Sequence, residues 1–313
     1  MTIAPRIVLR ARGDGDEAGV DGAARGRIDS RVMEFRTIES GGQPFVVSQE
    51  GEGPDAVLVH GFPDTPHSFA ALQRELVGAG WRVTVPWLRG YHPDTIVPGR
   101  PYDFETIGRD GLALLDAIGA QRALFVGHDW GALMSFVVAT LAPERVTGLA
   151  TIAIPHPTLL QRTPASLYAA RHFLALKLPW AEASTRRNDF AYLDALYRRW
   201  SPNWSGPERD ESVAQVKQAL SRPGTLKGAI DYYRALPLGG SKLLERPPAV
   251  ANLTIGGTVD IVAPEVFRAS AELFPAPSRA LIVEGAGHWA HREQEQRVNA
   301  EIVRFAGELW SRD

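Results

Sequence analysis

The stretch Val126-Gly127-His128-Asp129-Trp130-Gly131-Ala132 constrains this chain more than any other. Before it, ALFVGH (123–128) is a continuous apolar run ending in a loop, the pattern of a buried parallel strand. After it, GALMSFVVATLA (131–142) is helical in character and stops at Pro143. A strand must therefore become a helix almost at once, with Asp129 on the turn. The flanking glycines have a steric reason, because such a turn is strained and neighbouring backbone must come close. The turn lifts the Asp129 carboxylate towards the positive end of the following helix, which keeps it ionised. A carboxylate placed there can attack saturated carbon and form an ester. The plainer alternative is an Asp that merely caps the helix starting at Gly131.

The rest of the chain repeats the alternation. VMEFRTIE and PFVVSQE read as short strands joined by a turn at Gly41 and Gly42. AVLVHG (56–61), WRVTVP (81–86) and VTGLATIAIP (146–155) read as strands, with helices expected at about 66–79 and at 104–119. Between 156 and 246 no strand-like run occurs, only helical segments rich in aromatics. AVANLTIGG (249–257) and RALIVEGAG (279–287) restore the pattern, each followed by a helical stretch. The expectation is an α/β fold, a mostly parallel sheet flanked by helices, with core residues 31–155 and 247–313 and a helical insertion over 156–246. Residues 1–30, rich in Arg, Asp and Gly, read as a flexible extension without a secretory signal.

Three further motifs stand at expected strand ends. HGFPD (His60–Asp64) would turn the Phe62 N–H inward, and with the Trp130 N–H this makes an oxyanion hole. His60 itself reads as a brace for the loop. GGTVD places Asp260 after one late strand, and GAGHWAHREQ places His288 after the last. The chain order Asp129, Asp260, His288 is nucleophile, acid, histidine. In that triad His288 activates water and Asp260 fixes its tautomer.

HGFPD, LRGY (88–91), GHDWGA, GGTVD and GAGHWAHREQ, in this order, resemble the epoxide hydrolase branch of the α/β-hydrolase family over about residues 32–310. The helical insertion is then the family's cap. Epoxide hydrolases usually hang two tyrosines over the nucleophile to protonate the departing oxygen. IDYYRALP (230–237) resembles the segment of the second and places it at Tyr233, with Tyr232 the alternative. YAARHFLALKLPWAE (168–182) resembles the segment of the first and puts His172 there, as in a bacterial subgroup with a His–Tyr pair. Phe62, Trp130, Phe173 and Tyr232 would line the substrate pocket. The cap aromatics Phe173, Trp180, Phe190, Trp200 and Trp204 favour an apolar or aromatic substrate. The resemblance thus implies hydrolysis of a small-molecule epoxide by water, without cofactor.

Haloalkane dehalogenases share the Asp nucleophile but often carry Asn where Phe62 stands. Fluoroacetate dehalogenases also carry a His near the position of His172, but they have arginines after the nucleophile, where Trp130 and Ala132 stand. A haloalkane or haloacid dehalogenase is the alternative function, and a non-catalytic ligand-binding relative a more distant one.

Composition narrows the rest. Thirty-four basic residues against 36 acidic give no electrostatic reason to expect nucleic acid or an anionic membrane as partner. The absence of cysteine excludes thiol catalysis and thiolate metal sites, and no His or carboxylate set stands at metal-binding sequence spacing. No run is long enough to span a membrane, so a cytoplasmic protein is expected. The sequence leaves room for a homodimer through the cap or outer helices without naming residues for it.

Overall fold

A computed structural model describes residues 33–159, 168, 171–237 and 241–311. The extension expected over 1–30 lies outside the described residues. An eight-stranded sheet runs in the order β1 (Arg36–Ser40), β2 (Gln43–Glu50), β4 (Arg82–Pro86), β3 (Asp55–Val59), β5 (Ala123–His128), β6 (Val146–Ile152), β7 (Asn252–Gly257) and β8 (Arg279–Val283). β2 pairs antiparallel with β1 and β4, and every later pairing is parallel. The chain leaves β3 towards β4 and comes back as β5 on the other side of β3. Strand order therefore reverses between β3 and β5, and in open parallel sheets the crevice beyond the strand ends at such a point is where ligands bind.

Alternation along the strands feeds two cores. Ala56, Leu58, Leu124, Val126, Leu253 and Ile255 pack with α1 (Ala70–Gly78) and the C-terminal helix α10 (Glu295–Trp310). Val57, Val59 and Phe125 point the other way, towards α2 (Phe104–Ala117) and α3 (Trp130–Leu141). The remaining core helices are α8 (Pro264–Glu272), after β7, and the single turn α9 (Ala290–Glu293), after β8.

Two boundaries differ from expectation. β6 stops at Ile152 rather than near 155, because Ala153, whose N–H still donates to the Ile255 carbonyl at 2.9 Å, turns to a φ of 67° and takes the chain beyond it out of the sheet. The helix expected from 66 opens as a 3-10 turn, Pro66–Phe69, before α1.

Between β6 and β7 the described residues form α4 (Arg171–Lys177), α5 (Ala181–Trp200), α6 (Pro207–Ser221) and α7 (Thr225–Ala235), and no strand. α5 is broken by Asn188, Asp189 and Phe190, all left-handed at φ 50–57°. α7 docks on the loop after β4 by close backbone contact. A Cβ on Gly228 would lie 2.6 Å from Gly90 Cα. The Tyr232 hydroxyl donates to the Arg89 carbonyl at 3.0 Å, and the Arg89 guanidinium is held in turn by both carboxylate oxygens of buried Asp110.

Candidate active site

The sharp turn after β5 puts Asp129 at φ 51° and ψ −113°, an unfavourable conformation for a residue with a Cβ. The surroundings enforce it. A Cβ on Gly131 would lie 1.9 Å from the Val59 carbonyl oxygen, and one on Gly61 would lie 2.4 Å from Asp129 Cβ. Asp129 stands at the N-cap of α3, yet its side chain makes no capping hydrogen bond. The carboxylate instead faces the crevice. The Phe62 N–H donates to its Oδ1 at 2.8 Å, and its Oδ2 lies 3.6 Å from His288 Nε2. His288 Nδ1 lies 3.4 Å from Asp260 Oδ1. Asp260 is no helix cap, for α8 is capped by Ala263.

Burial alone would raise the Asp129 carboxyl, but His288, together with the Phe62 N–H, outweighs it and holds it below its ordinary value. Burial would likewise lower His288. The two carboxylates, Asp260 first, outweigh it and push the imidazole up to about 10. The resting arrangement is thus an imidazolium between two carboxylates. His60 is a brace: its Nε2 accepts the Leu88 N–H at 3.1 Å, its Nδ1 lies 3.0 Å from the Gly61 carbonyl, and burial lowers it to about 4.

The inter-strand helices roof the crevice. The Tyr233 ring lies edge-on to Phe62 at 5.2 Å and to Trp130 at 5.1 Å. Burial first, and then the Asp129 charge, push its phenol well above the usual range, so it stays protonated. Trp130 Nε1 approaches the Tyr233 hydroxyl without completing a hydrogen bond. Buried His172, on α4, packs against Phe173 at 4.4 Å, Trp200 at 4.6 Å and Tyr233 at 5.9 Å. Tyr232, offered from sequence as the alternative to Tyr233, spends its hydroxyl on Arg89, while its ring lines the same enclosure 5.2 Å from Trp130.

Residues 57–294 match the family described as alpha/beta hydrolase fold. The chain belongs to the α/β-hydrolase family. Among relatives of this α/β-hydrolase, the AB hydrolase superfamily protein YfhM of Bacillus subtilis (strain 168) is 30% identical over 263 residues, covering 81% of this chain and 90% of that protein. Epoxide hydrolase A of Mycobacterium tuberculosis is 29% identical over 320 residues, covering 89% and 95%. The crystal structure of an epoxide hydrolase from Vigna radiata superposes with a TM-score of 0.75 at 23% identity, over 88% of this chain and 98% of that one. At that identity the likeness speaks for the fold.

Two groupings of this hydrolase carry no sequence-spacing signal. Glu293 accepts the Gly287 N–H and the Ser201 hydroxyl, so the C-terminal end of α5 is tied to the loop bearing His288. The His288 N–H also donates to the Trp200 carbonyl at 2.9 Å. Second, Asp64, His128 and His291 meet in the interior beside the crevice. No metal-ligand set was expected from sequence, since these three come from distant stretches and only the fold assembles them. No helix among the described residues is long and apolar enough to cross a membrane.

Proposed function

We propose that this α/β-hydrolase is an epoxide hydrolase acting through an ester on Asp129. The observation that carries the reading is an ionised, uncapped carboxylate between a backbone N–H and a histidine, under a protonated tyrosine. Kinship with proteins named epoxide hydrolases supports it. In this reading residues 156–246 act as a cap over a core of 31–155 and 247–313.

Oδ1 rests on the Phe62 N–H, so Oδ2 is the attacking atom. It bonds to an epoxide carbon as the carbon–oxygen bond of the ring breaks. Tyr233, with His172, gives the departing oxygen its proton, general acid help worth about 10²–10⁴-fold. Esterification removes one of the two negative charges around His288, which then passes its proton, through solvent in the crevice, to the phenolate left on Tyr233 and becomes a base. It deprotonates a water that attacks the ester carbonyl. The oxyanion forms at Oδ1, on the N–H groups of Phe62 and Trp130. Collapse releases the diol with Oδ2 in it. The substrate is an apolar or aromatic epoxide, matched to walls of Phe62, Trp130, Phe173 and Tyr232, and a cytoplasmic location belongs to the same proposal.

The dehalogenase reading has one observation in its favour, the buried Trp130 N–H without a completed hydrogen bond, which could receive a halide. Phe62 offers no side-chain donor opposite it. A single turnover in heavy-oxygen water tests the ester: the first diol is expected unlabelled, its oxygen having come from Asp129. Fully labelled diol would mean direct attack by water and would end the proposal.

A further inference from the structure

Three side chains outside the proposed reaction steps converge in the interior: Asp64 from the loop after β3, His128 from the end of β5, and His291 from α9. Each is at most 4% exposed. One donor atom of each lies within 4.8 Å of the other two. His128 Nδ1 stands 3.2 Å from Asp64 Oδ2, and His291 Nε2 stands 4.0 Å from the same oxygen.

The hydrogen bonding of His128 decides what this corner wants. Its Nε2 lies 3.1 Å from the His288 carbonyl oxygen. A carbonyl only accepts, so Nε2 carries the proton and donates. Nδ1 then faces a carboxylate oxygen, close but without hydrogen-bond alignment. Two electron-rich atoms at that distance need a positive charge shared between them. A second proton on His128 would serve this pair alone. It would leave both ring nitrogens of His291 buried with no hydrogen-bond partner among the described residues, which is unfavourable. A metal ion would engage all three side chains.

We propose that Asp64, His128 and His291 form an internal binding site for a divalent transition-metal ion of the Zn2+ kind. Two imidazoles and one carboxylate are a donor set such ions favour, whereas Ca2+ and Mg2+ prefer oxygen alone. Metal–ligand bonds of about 2.0–2.2 Å in tetrahedral geometry set ligand atoms roughly 3.3 Å apart. The His128–Asp64 pair already has that spacing. His291, stacked on Phe69 at 5.1 Å and 24°, has its Nε2 4.0 Å from Asp64 Oδ2 and must move closer to complete the set. The site is coupled to the reaction centre twice: His128 precedes Asp129 in the chain, and its Nε2–H holds the His288 carbonyl. A dication there stabilises the free Asp129 carboxylate over its neutral ester and so inhibits turnover. Because the ligands are buried, the ion enters slowly, on local opening of the one-turn helix α9.

The test uses the full chain, stripped with EDTA and then titrated with Zn2+ by calorimetry. The expected result is one equivalent bound, with X-ray absorption showing two imidazoles on the zinc. Diol formation from styrene oxide should fall slowly and return when EDTA is added. His291→Gln should weaken binding by about tenfold or more and leave metal-free turnover unchanged, whereas a control His92→Gln, at a histidine outside this cluster, binds as the unaltered protein does. No saturable uptake by the unaltered protein, as expected if a water fills this corner, would overturn the site. So would zinc without imidazole ligands, or full affinity in a folded His291→Gln variant. Binding with turnover unaffected would overturn the inhibitory coupling. Uptake is read without any catalytic assay, so failure of the epoxide reading and failure of the metal site are separable.

Discussion

At the residue scale, two adjacent tyrosines on one helix have different surroundings. The Tyr232 hydroxyl is tied to the Arg89 carbonyl, while Tyr233 is buried with its phenol kept protonated near Asp129. Tyr233→Phe is expected to slow formation of the ester by about 10²-fold with stability nearly unchanged, measured by rapid-quench single turnover. Tyr232→Phe is expected to lose about 1 kcal/mol of stability, read by urea denaturation, with ester formation little affected. Sequence proposed Tyr233 with Tyr232 as the alternative and left the choice open, since adjacent residues on a helix point some 100° apart and only the docking of Gly228 on Gly90 fixes which faces the crevice. Asp129 was easier to read. Its glycines are required by contacts so short that the turn has few other solutions. Asp64, His128 and His291 could not be read as a group, because no local spacing joins them.

At the scale of elements, the strands were legible because buried parallel strands are continuous apolar runs with loops at fixed ends. Their C-terminal ends carry Phe62, Asp129, Asp260 and His288, and that too follows from chain order. The break in α5 was not legible: Asn188, Asp189 and Phe190 include no glycine or proline, and tertiary packing overrides local preference there. The strand-to-helix turn is the least tolerant unit. Gly131→Ala would drive a Cβ to within 1.9 Å of the Val59 carbonyl oxygen, and overpacking of this kind costs about 1–3 kcal/mol or more. The expected outcome is a lower denaturation midpoint together with loss of activity, since β3 and α3 must separate and Asp129 moves with them. A second element-level device is the Glu293 carboxylate, which ties α5 to the His288 loop through Ser201 and Gly287. Glu293→Ala is expected to slow ester hydrolysis more than ester formation, because the proposed mechanism uses His288 as the base of the second step. The two phases in a single-turnover trace measure this directly.

On the scale of the whole molecule, the sheet separates two apolar clusters, and the inter-strand helices join the one on the crevice side. Leu253 belongs to the cluster under α1 and α10, and Leu220 of α6 to the other. Each Leu→Ala change is expected to cost about 2–5 kcal/mol. The double variant should show their sum to within about 0.5 kcal/mol, as denaturant titration of all three variants would reveal. The alternation of strands and helices, with a break between β6 and β7, was visible from periodicity alone. How the helices of that break sit over the crevice was not, because it depends on long-range contacts such as Tyr197 stacked on Trp289 at 3.9 Å.

The central claim is that Asp129 forms an ester with an epoxide and that His288 is needed to release it. Intact-protein mass measurement of a His288→Gln variant, mixed with styrene oxide and separately with 1-bromohexane, tests this most directly. The predicted result is an adduct carrying the whole epoxide, mapped to the peptide containing Asp129, and none from the bromide. An adduct formed only from the bromide, lacking the halide, would contradict the epoxide reading, and an epoxide adduct on any other residue would contradict the nucleophile.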